Sequence, residues 1–296
     1  MMYLPILGSN EGFGFSYGAL VTMQPIVGPG TRLSFPLTWG GERRAGVEIE
    51  RRLQTARITR VRGGASLLSR RNIALDATDV RQQAWVRLDR EVVRDLRFGV
   101  WTGLDFVSLG VDENRVSRAG AELTLDTRVD PMLSRRAVYV RTAVERLGVR
   151  GREAPLRTLV DASTYVGGPL GSILVLRVYR DGADRAVPSY LKVLRGRDLT
   201  LRGFRAATAV GDVTAAGTIE LRVPVNSPLS IGKVGVRAFI DAATVYDAGS
   251  RLRDQRFDRG IGGGVWVAAT VMRFALDVAH GSNGDTRVQL SSGLLF

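Results

Sequence analysis

The chain has 296 residues and no cysteine, and its net charge of +13 is carried almost wholly by arginine, since Lys192 and Lys233 are its only lysines. The missing thiols exclude cysteine nucleophiles, thiolate metal sites and disulfides, and no run of about twenty apolar residues is present to make a helical membrane span. What composition leaves open is an all-β chain: a transmembrane barrel averages to a bland hydropathy because residues facing lipid and lumen alternate along each strand, and 35 glycines against 10 prolines suit it. The basic excess fits nucleic acid, an anionic membrane surface, or simply an arginine-rich codon bias. The stretch Met1 to Gly12 carries neither a basic n-region nor an apolar h-region, so no signal peptide is read there.

A short first strand, which reads as clipped, is expected at about Tyr3–Leu7. After it one theme repeats: alternation at period two over about ten residues, then a polar or glycine-rich break. Phe13, Phe15, Tyr17, Ala19, Val21 and Met23 share a face, as do Leu33, Phe35, Leu37 and Trp39. Ala45, Val47 and Ile49 follow, with Glu48 and Glu50 opposite. Ala84, Val86 and Leu88 oppose Gln83, Trp85 and Arg87. Leu96, Phe98, Val100, Thr102, Leu104 and Phe106 oppose Arg97, Gly99, Trp101, Gly103 and Asp105. Ala119, Ala121, Leu123 and Leu125 oppose Glu122, Thr124, Asp126 and Arg128, and Val138, Val140, Thr142 and Val144 oppose Tyr139, Arg141 and Glu145. These strands are longer than the usual ~5–6 residues of soluble sheets and match the ~9–11 needed to cross a bilayer obliquely. Tight breaks at Gly40-Gly41-Glu42 and Gly167-Gly168-Pro169 alternate with longer ones, as expected when turns sit at one end of a barrel and loops at the other. Counting to the C-terminus predicts about sixteen strands in a single barrel domain over residues 1–296. A long stretch without periodicity, about Asp181 to Asp212, interrupts the series.

From Leu125 onward, a set of short motifs falls in order. These are Leu125-Asp126-Thr127-Arg128-Val129-Asp130-Pro131, Arg157 to Tyr165, Val187-Pro188-Ser189-Tyr190, Leu194-Arg195-Gly196 and Leu201-Arg202-Gly203-Phe204. Glu220-Leu221-Arg222-Val223-Pro224, Phe239-Ile240-Asp241-Ala242-Ala243-Thr244-Val245, Gly260 to Gly264, Leu276-Asp277-Val278-Ala279 and a terminal Phe296 complete it. Together they resemble the barrel half of the BamA/TamA family, with Arg195 and Ala243 standing where the family has glycine. The first 120 or so residues share only the strand rhythm.

The resemblance implies a sixteen-stranded antiparallel barrel of the bacterial outer membrane, with a long sixth extracellular loop folded into the lumen and carrying Leu201, Arg202, Gly203 and Phe204. It implies that Arg202 meets acidic residues of the twelfth and thirteenth strands, here Glu220 and Asp241. The alternation is compatible. Ile219, Leu221, Val223 and Val225 form one face of a strand over Thr218–Val225, which turns Glu220 and Arg222 inward. Val234, Val236, Ala238 and Ile240 do the same for Lys233–Val245, turning Arg237, Phe239 and Asp241 inward. A guanidinium between two carboxylates offers its planar fork to both. The plainer reading is that Glu220 and Asp241 belong to unrelated lumen ion pairs.

The resemblance also implies insertion or export of other proteins, with outer-membrane lipids, lipopolysaccharide and client proteins as partners and no nucleic acid. Family members carry periplasmic POTRA domains before the barrel; none is read here, which leaves three readings open: a barrel-only relative, the membrane half of a split system with a separate periplasmic POTRA-type partner, or a truncated gene. In the last strand Val288, Leu290, Leu294 and Phe296 alternate, the pattern by which outer-membrane strands are recognised through edge pairing. Two other readings stay open: a passive pore or membrane anchor, and a soluble all-β binding protein with its apolar faces packed in a sandwich. An enzyme is not expected. His280 reads as a rim residue, Ser291 and Ser292 lack a partner base, and the glycines of Gly260–Gly264 precede no helix and read as a bend or lumen wall. No cofactor and no metal ligand set is expected.

Overall fold

In the computed structural model of the chain all residues are described except 11–13, 24–27, 29, 54–56, 74, 111, 152, 196–199, 226–231, 270–271 and 295–296, together with the side chains of 9, 10, 112, 269, 293 and 294. Sixteen strands form one antiparallel sheet in strict chain order. The first half consists of β1 (Met2–Asn10), β2 (Gly14–Met23), β3 (Thr31–Gly40), β4 (Glu42–Arg52), β5 (Arg60–Asn72), β6 (Ala77–Val93), β7 (Leu96–Leu109) and β8 (Asp112–Asp126). The second half begins with β9 (Arg136–Val149), β10 (Leu156–Gly167) and β11 (Ile173–Ala183). Loop six follows, holding a small ribbon of β12 (Val193–Leu194) and β13 (Val210–Gly211). The sheet resumes with β14 (Val213–Val225), β15 (Gly232–Tyr246), β16 (Asp258–Ala269), β17 (Met272–Gly281) and β18 (Thr286–Leu294). β14 and β15 are therefore the twelfth and thirteenth barrel strands.

The register places the apolar faces side by side around the outside. Tyr17 pairs with Trp39 and Val21 with Phe35, and Leu104 pairs with Ala84. Phe15, Tyr17, Trp39, Leu67 and Phe106 are exposed on this outer wall, which only a lipid phase would cover at acceptable free energy. The inner wall is ionic. Asp79, Asp89 and Asp105 are buried there, and each accepts from arginines: Arg70 and Arg81 on Asp79, Arg62 and Arg87 on Asp89, Arg118 on Asp105. Glu122 joins Arg87 to Arg141. Much of the arginine surplus thus has a structural use, because a carboxylate turned inward needs a multidentate cation to offset its desolvation.

Three expectations are corrected. β1 is longer than the expected Tyr3–Leu7: it spans nine residues, Met2–Asn10, paired with β2 from Met2↔Thr22 to Asn10↔Gly14. The irregular stretch is shorter than expected, since β11 continues to Ala183, and β14 starts at Val213 rather than at Thr218 because small residues such as Ala215, Ala216 and Gly217 hide the alternation. Nor do tight turns keep to one end. The break at Gly41 follows β3 and lies at the same end as loop six, whereas the one at Gly168–Ser172 follows β10 and lies at the other. The local chemistry of each turn, a positive φ at Gly40 in one and a Pro169-led 3-10 turn in the other, makes it tight wherever it falls.

The sheet does not close by a backbone ladder among the described residues: β1 and β18 stand at the two ends of the strand order. They meet where Ser292 Oγ donates to the Leu7 carbonyl at 3.0 Å.

Candidate functional site

Loop six leaves β11 and folds inward. Asp212, at the end of the loop, ties back to its start and to the β15–β16 connection, its carboxylate accepting from the backbone N–H of Val187 and of Ala248 at 3.1 Å each. The first limb packs Val187, Tyr190 and Leu191 against Val107, Leu109, Val116, Leu147 and Val149 of β7, β8 and β9, and Arg81 donates to the Tyr190 carbonyl at 2.7 Å. The second limb lies against β14 to β17, where Leu201 and Phe204 pack with Ala243. Arg195 covers the Phe204 ring and is paired with Asp258.

Between these contacts sits Arg202, 3% exposed. Its Nε and Nη2 donate to the two oxygens of Asp241 at 2.7 and 2.9 Å, and its own backbone N–H donates to Asp241 at 3.1 Å. Nη1 donates to Glu220 at 2.7 Å. The Phe239 ring lies beneath the guanidinium, 3.2 Å from carbon to centroid. Register explains the convergence: Glu220 of β14 pairs with Phe239 of β15, and Thr218 with Asp241, so both acids lie on neighbouring inward rows. Charge-assisted bonds of this kind are about twice as strong as neutral ones, and a fully satisfied buried network fixes geometry that a partly satisfied one does not.

Two glycines let the loop come this close. Gly203 has φ +89, and a Cβ there would stand 2.9 Å from the Gly281 N and 3.0 Å from the His280 carbonyl carbon. A Cβ on Gly260 would stand 2.0 Å from the Arg202 carbonyl oxygen. Gly260 is the wall against which the motif is pressed.

The cluster extends beyond Arg202, Glu220 and Asp241 to the inward-turned Arg222 and Arg237 and to Asp277, whose place in it the sequence reading missed. Asp277, wholly buried on β17, lies 3.8 Å from Arg202 and accepts both arms of Arg237. Arg222 donates from Nε to Glu220 at 2.7 Å. The network is thus three arginines (Arg202, Arg222, Arg237) against three carboxylates (Glu220, Asp241, Asp277). The signal for Asp277 was in the alternation of Leu276 and Val278, which turns it inward. A cavity of about 530 Å³ adjoins the cluster, bordered by Arg202, Glu220, Arg222, Arg237 and Arg273.

Residues 16–296 match the Omp85 superfamily domain. The chain belongs to the Omp85 superfamily. No curated protein sequence matches it significantly. Among solved structures, this Omp85 barrel is similar to BamA from Haemophilus ducreyi lacking POTRA domains 1–3, with a TM-score of 0.79 at 13% identity over 97% of this chain and 69% of that one. It is also similar to CdiB from Escherichia coli, with a TM-score of 0.70 at 11% identity over 97% of this chain and 61% of that one. For CdiB from Acinetobacter baumannii the TM-score is 0.65 at 14% identity, over 99% and 59%. The chain therefore spans less than two thirds of either CdiB protein. These likenesses show a shared fold, and the family assignment and the sixteen-stranded barrel make this a protein of the bacterial outer membrane.

Of the remaining candidate residues, Val288 and Leu290 are exposed on the outer face of β18. The backbone of Leu294 pairs with Met272, while its side chain and all of Phe296 lie outside the described residues. Gly196 and Phe13 also lie outside them. His280 is exposed at the end of β17, with Nδ1 3.0 Å from the Thr286 hydroxyl.

Proposed function

We propose that this Omp85 barrel assists the insertion or translocation of client proteins at the outer membrane through its β1–β18 seam, acting by strand pairing rather than by catalysis. The observation that carries this reading is the seam itself. β1 is fully paired with β2 and β18 with β17, yet although β1 and β18 lie side by side, no backbone ladder joins them among the described residues, and the hydrogen bond described across the gap is that of Ser292 to Leu7. Unpaired backbone groups in a lipid phase cost several kcal/mol each, order of magnitude. A strand edge left with so few bonds is therefore a place where an incoming client strand gains more than it would in water.

The barrel acts as a single domain in this reading. Its partners are outer-membrane lipids and lipopolysaccharide around the apolar wall, client strands at the seam, and a periplasmic POTRA-type protein. Neither a metal nor a cofactor enters it.

The test is a reversible lock. Cysteines at Leu7 and Ser292, in a chain otherwise free of thiols, are oxidised after folding into liposomes, and insertion of an unfolded outer-membrane barrel is followed. Insertion is expected to fall to the level of empty liposomes when locked and to return on reduction. Full activity of the locked chain would refute the seam mechanism.

A further inference from the structure

The connection between β8 and β9 lies at the end of the barrel opposite loop six, and it also folds inward. Thr127 to Arg135 is no simple turn: Asp130 accepts at one carboxylate oxygen from the Met132 and Leu133 N–H groups at 2.7 and 3.2 Å. The Ser134 hydroxyl donates to the Asp130 carbonyl at 2.7 Å. Its root is held by Arg128, whose guanidinium is paired with Asp126, stacks over Tyr139 at 4.0 Å and donates to the Tyr165 hydroxyl. Its far side is tied to the next turn, where Arg135 donates to the Gly168 carbonyl at 2.6 Å.

The tip reaches across the lumen. Met132, 2% exposed, packs in one cluster with Trp266 of β16 and Ala275 of β17, the fourteenth and fifteenth barrel strands, about six strands round the sheet from β8 and β9. Leu133 packs both there and against the Ala137, Tyr165, Ile173 and Val175 cluster of the near wall. Arg222 then joins this tip to loop six. Its Nη1 donates to the Pro131 and Met132 carbonyls at 3.2 Å each, while its Nε holds Glu220, the carboxylate that accepts from Arg202. A continuous run of charge-assisted bonds therefore links one inward segment to the other.

We propose that the β8–β9 connection is a second plug of the lumen and that Arg222 is the positioning residue coupling it to loop six, so that displacing one loosens the other. When the tip leaves Trp266, Arg222 loses two carbonyl acceptors and is free to leave Glu220. Glu220 then loses the bond that orients its carboxylate, since Arg222 holds one oxygen and Arg202 the other, and loop six depends chiefly on Asp241. Because coupling between two equilibria is reciprocal by linkage, release of loop six loosens the tip as release of the tip loosens loop six.

The experiment uses single-channel conductance of the full chain in planar bilayers together with protease cutting of loop six at Arg205, which is exposed. The double variant M132G/L133G is expected to raise mean conductance at least several-fold and to speed cutting at Arg205. R222Q is expected to do the same, and the combination to do no more than either. Should these variants fold poorly, M132C/A275C joined after folding by a bis-methanethiosulfonate linker, which forms a disulfide at each cysteine by displacing methanesulfinate and is cleaved by reduction, is expected to abolish spontaneous openings, which return on cleavage. Openings that persist in the linked chain overturn the plug. Loop six staying fully protected while the turn variant conducts overturns the coupling, and simple additivity of R222Q with the turn variant does so too.

Discussion

Arg202 and Asp241 are joined by three hydrogen bonds, two from the guanidinium and one from the motif's own backbone N–H. The backbone bond is the informative one: it ties the loop's main chain, not only a flexible side chain, to the barrel wall. Removing Arg202 leaves Asp241 and Glu220 buried without their shared cation, a situation that typically costs about 3–5 kcal/mol. Arg202→Ala is therefore expected to lower the urea midpoint of the folded band on unheated gels substantially. Arg202→Lys, which keeps charge but loses the planar fork, is expected to fall between the two.

Glycine at 260 is needed for contact rather than for conformation. A Cβ there would fall 2.0 Å from the Arg202 carbonyl oxygen, which is backbone and cannot rotate away. Gly260→Ala is expected to push the motif off the wall, exposing loop six to protease with little effect on the barrel's assembly into membranes. Gly217→Ala, where the nearest atom is 3.8 Å away, serves as the control and is expected to behave as wild type. Equal protease sensitivity in both variants would contradict this account.

The Phe239 ring gives Arg202 a third kind of support. A desolvated guanidinium on an aromatic face is worth roughly 2 kcal/mol, and Phe239→Leu keeps the apolar volume while removing the π-face. The expected outcome is destabilisation of about that size, measured by the same urea titration and abolished when Arg202 is already Ala. Such non-additivity is what residues in direct contact show.

The alternation of outward Leu, Val, Phe and Trp made the sheet and its lipid face readable, because one buried-or-exposed decision repeats every second residue. Glu220 and Asp241 could be turned inward for the same reason. Asp277 could have been, but its partner Arg237 lies forty residues away in sequence, and pairing across strands is invisible without register. The inward path of Thr127–Arg135 had no such signal. Its Asp130 and Ser134 look like ordinary turn residues, and what draws the tip inside is Trp266, a residue far along the chain. The early start of β14 was hidden for another reason: Ala215, Ala216 and Gly217 carry no contrast between faces.

Arg237 and Asp277 give a sharper test of how the cluster balances its charge. Arg237 donates both arms to Asp277 and lies 3.9 Å from Glu220. If Asp277 becomes Asn, the guanidinium keeps its charge and turns toward Glu220, competing with Arg202 for the same oxygen. Asp277→Asn is thus expected to destabilise by about 3 kcal/mol and also to loosen loop six, although among the described residues Asp277 meets the loop only at 3.8 Å from Arg202. Arg237→Met with Asp277→Asn removes the cation together with its anion. The remaining Arg202, Arg222, Glu220 and Asp241 are again balanced, two against two, and the double variant is expected to lie within about 1 kcal/mol of wild type. Urea unfolding of the three variants in parallel checks this. A double variant as unstable as the single Asp277→Asn would show that Arg237 acts through packing rather than through its charge.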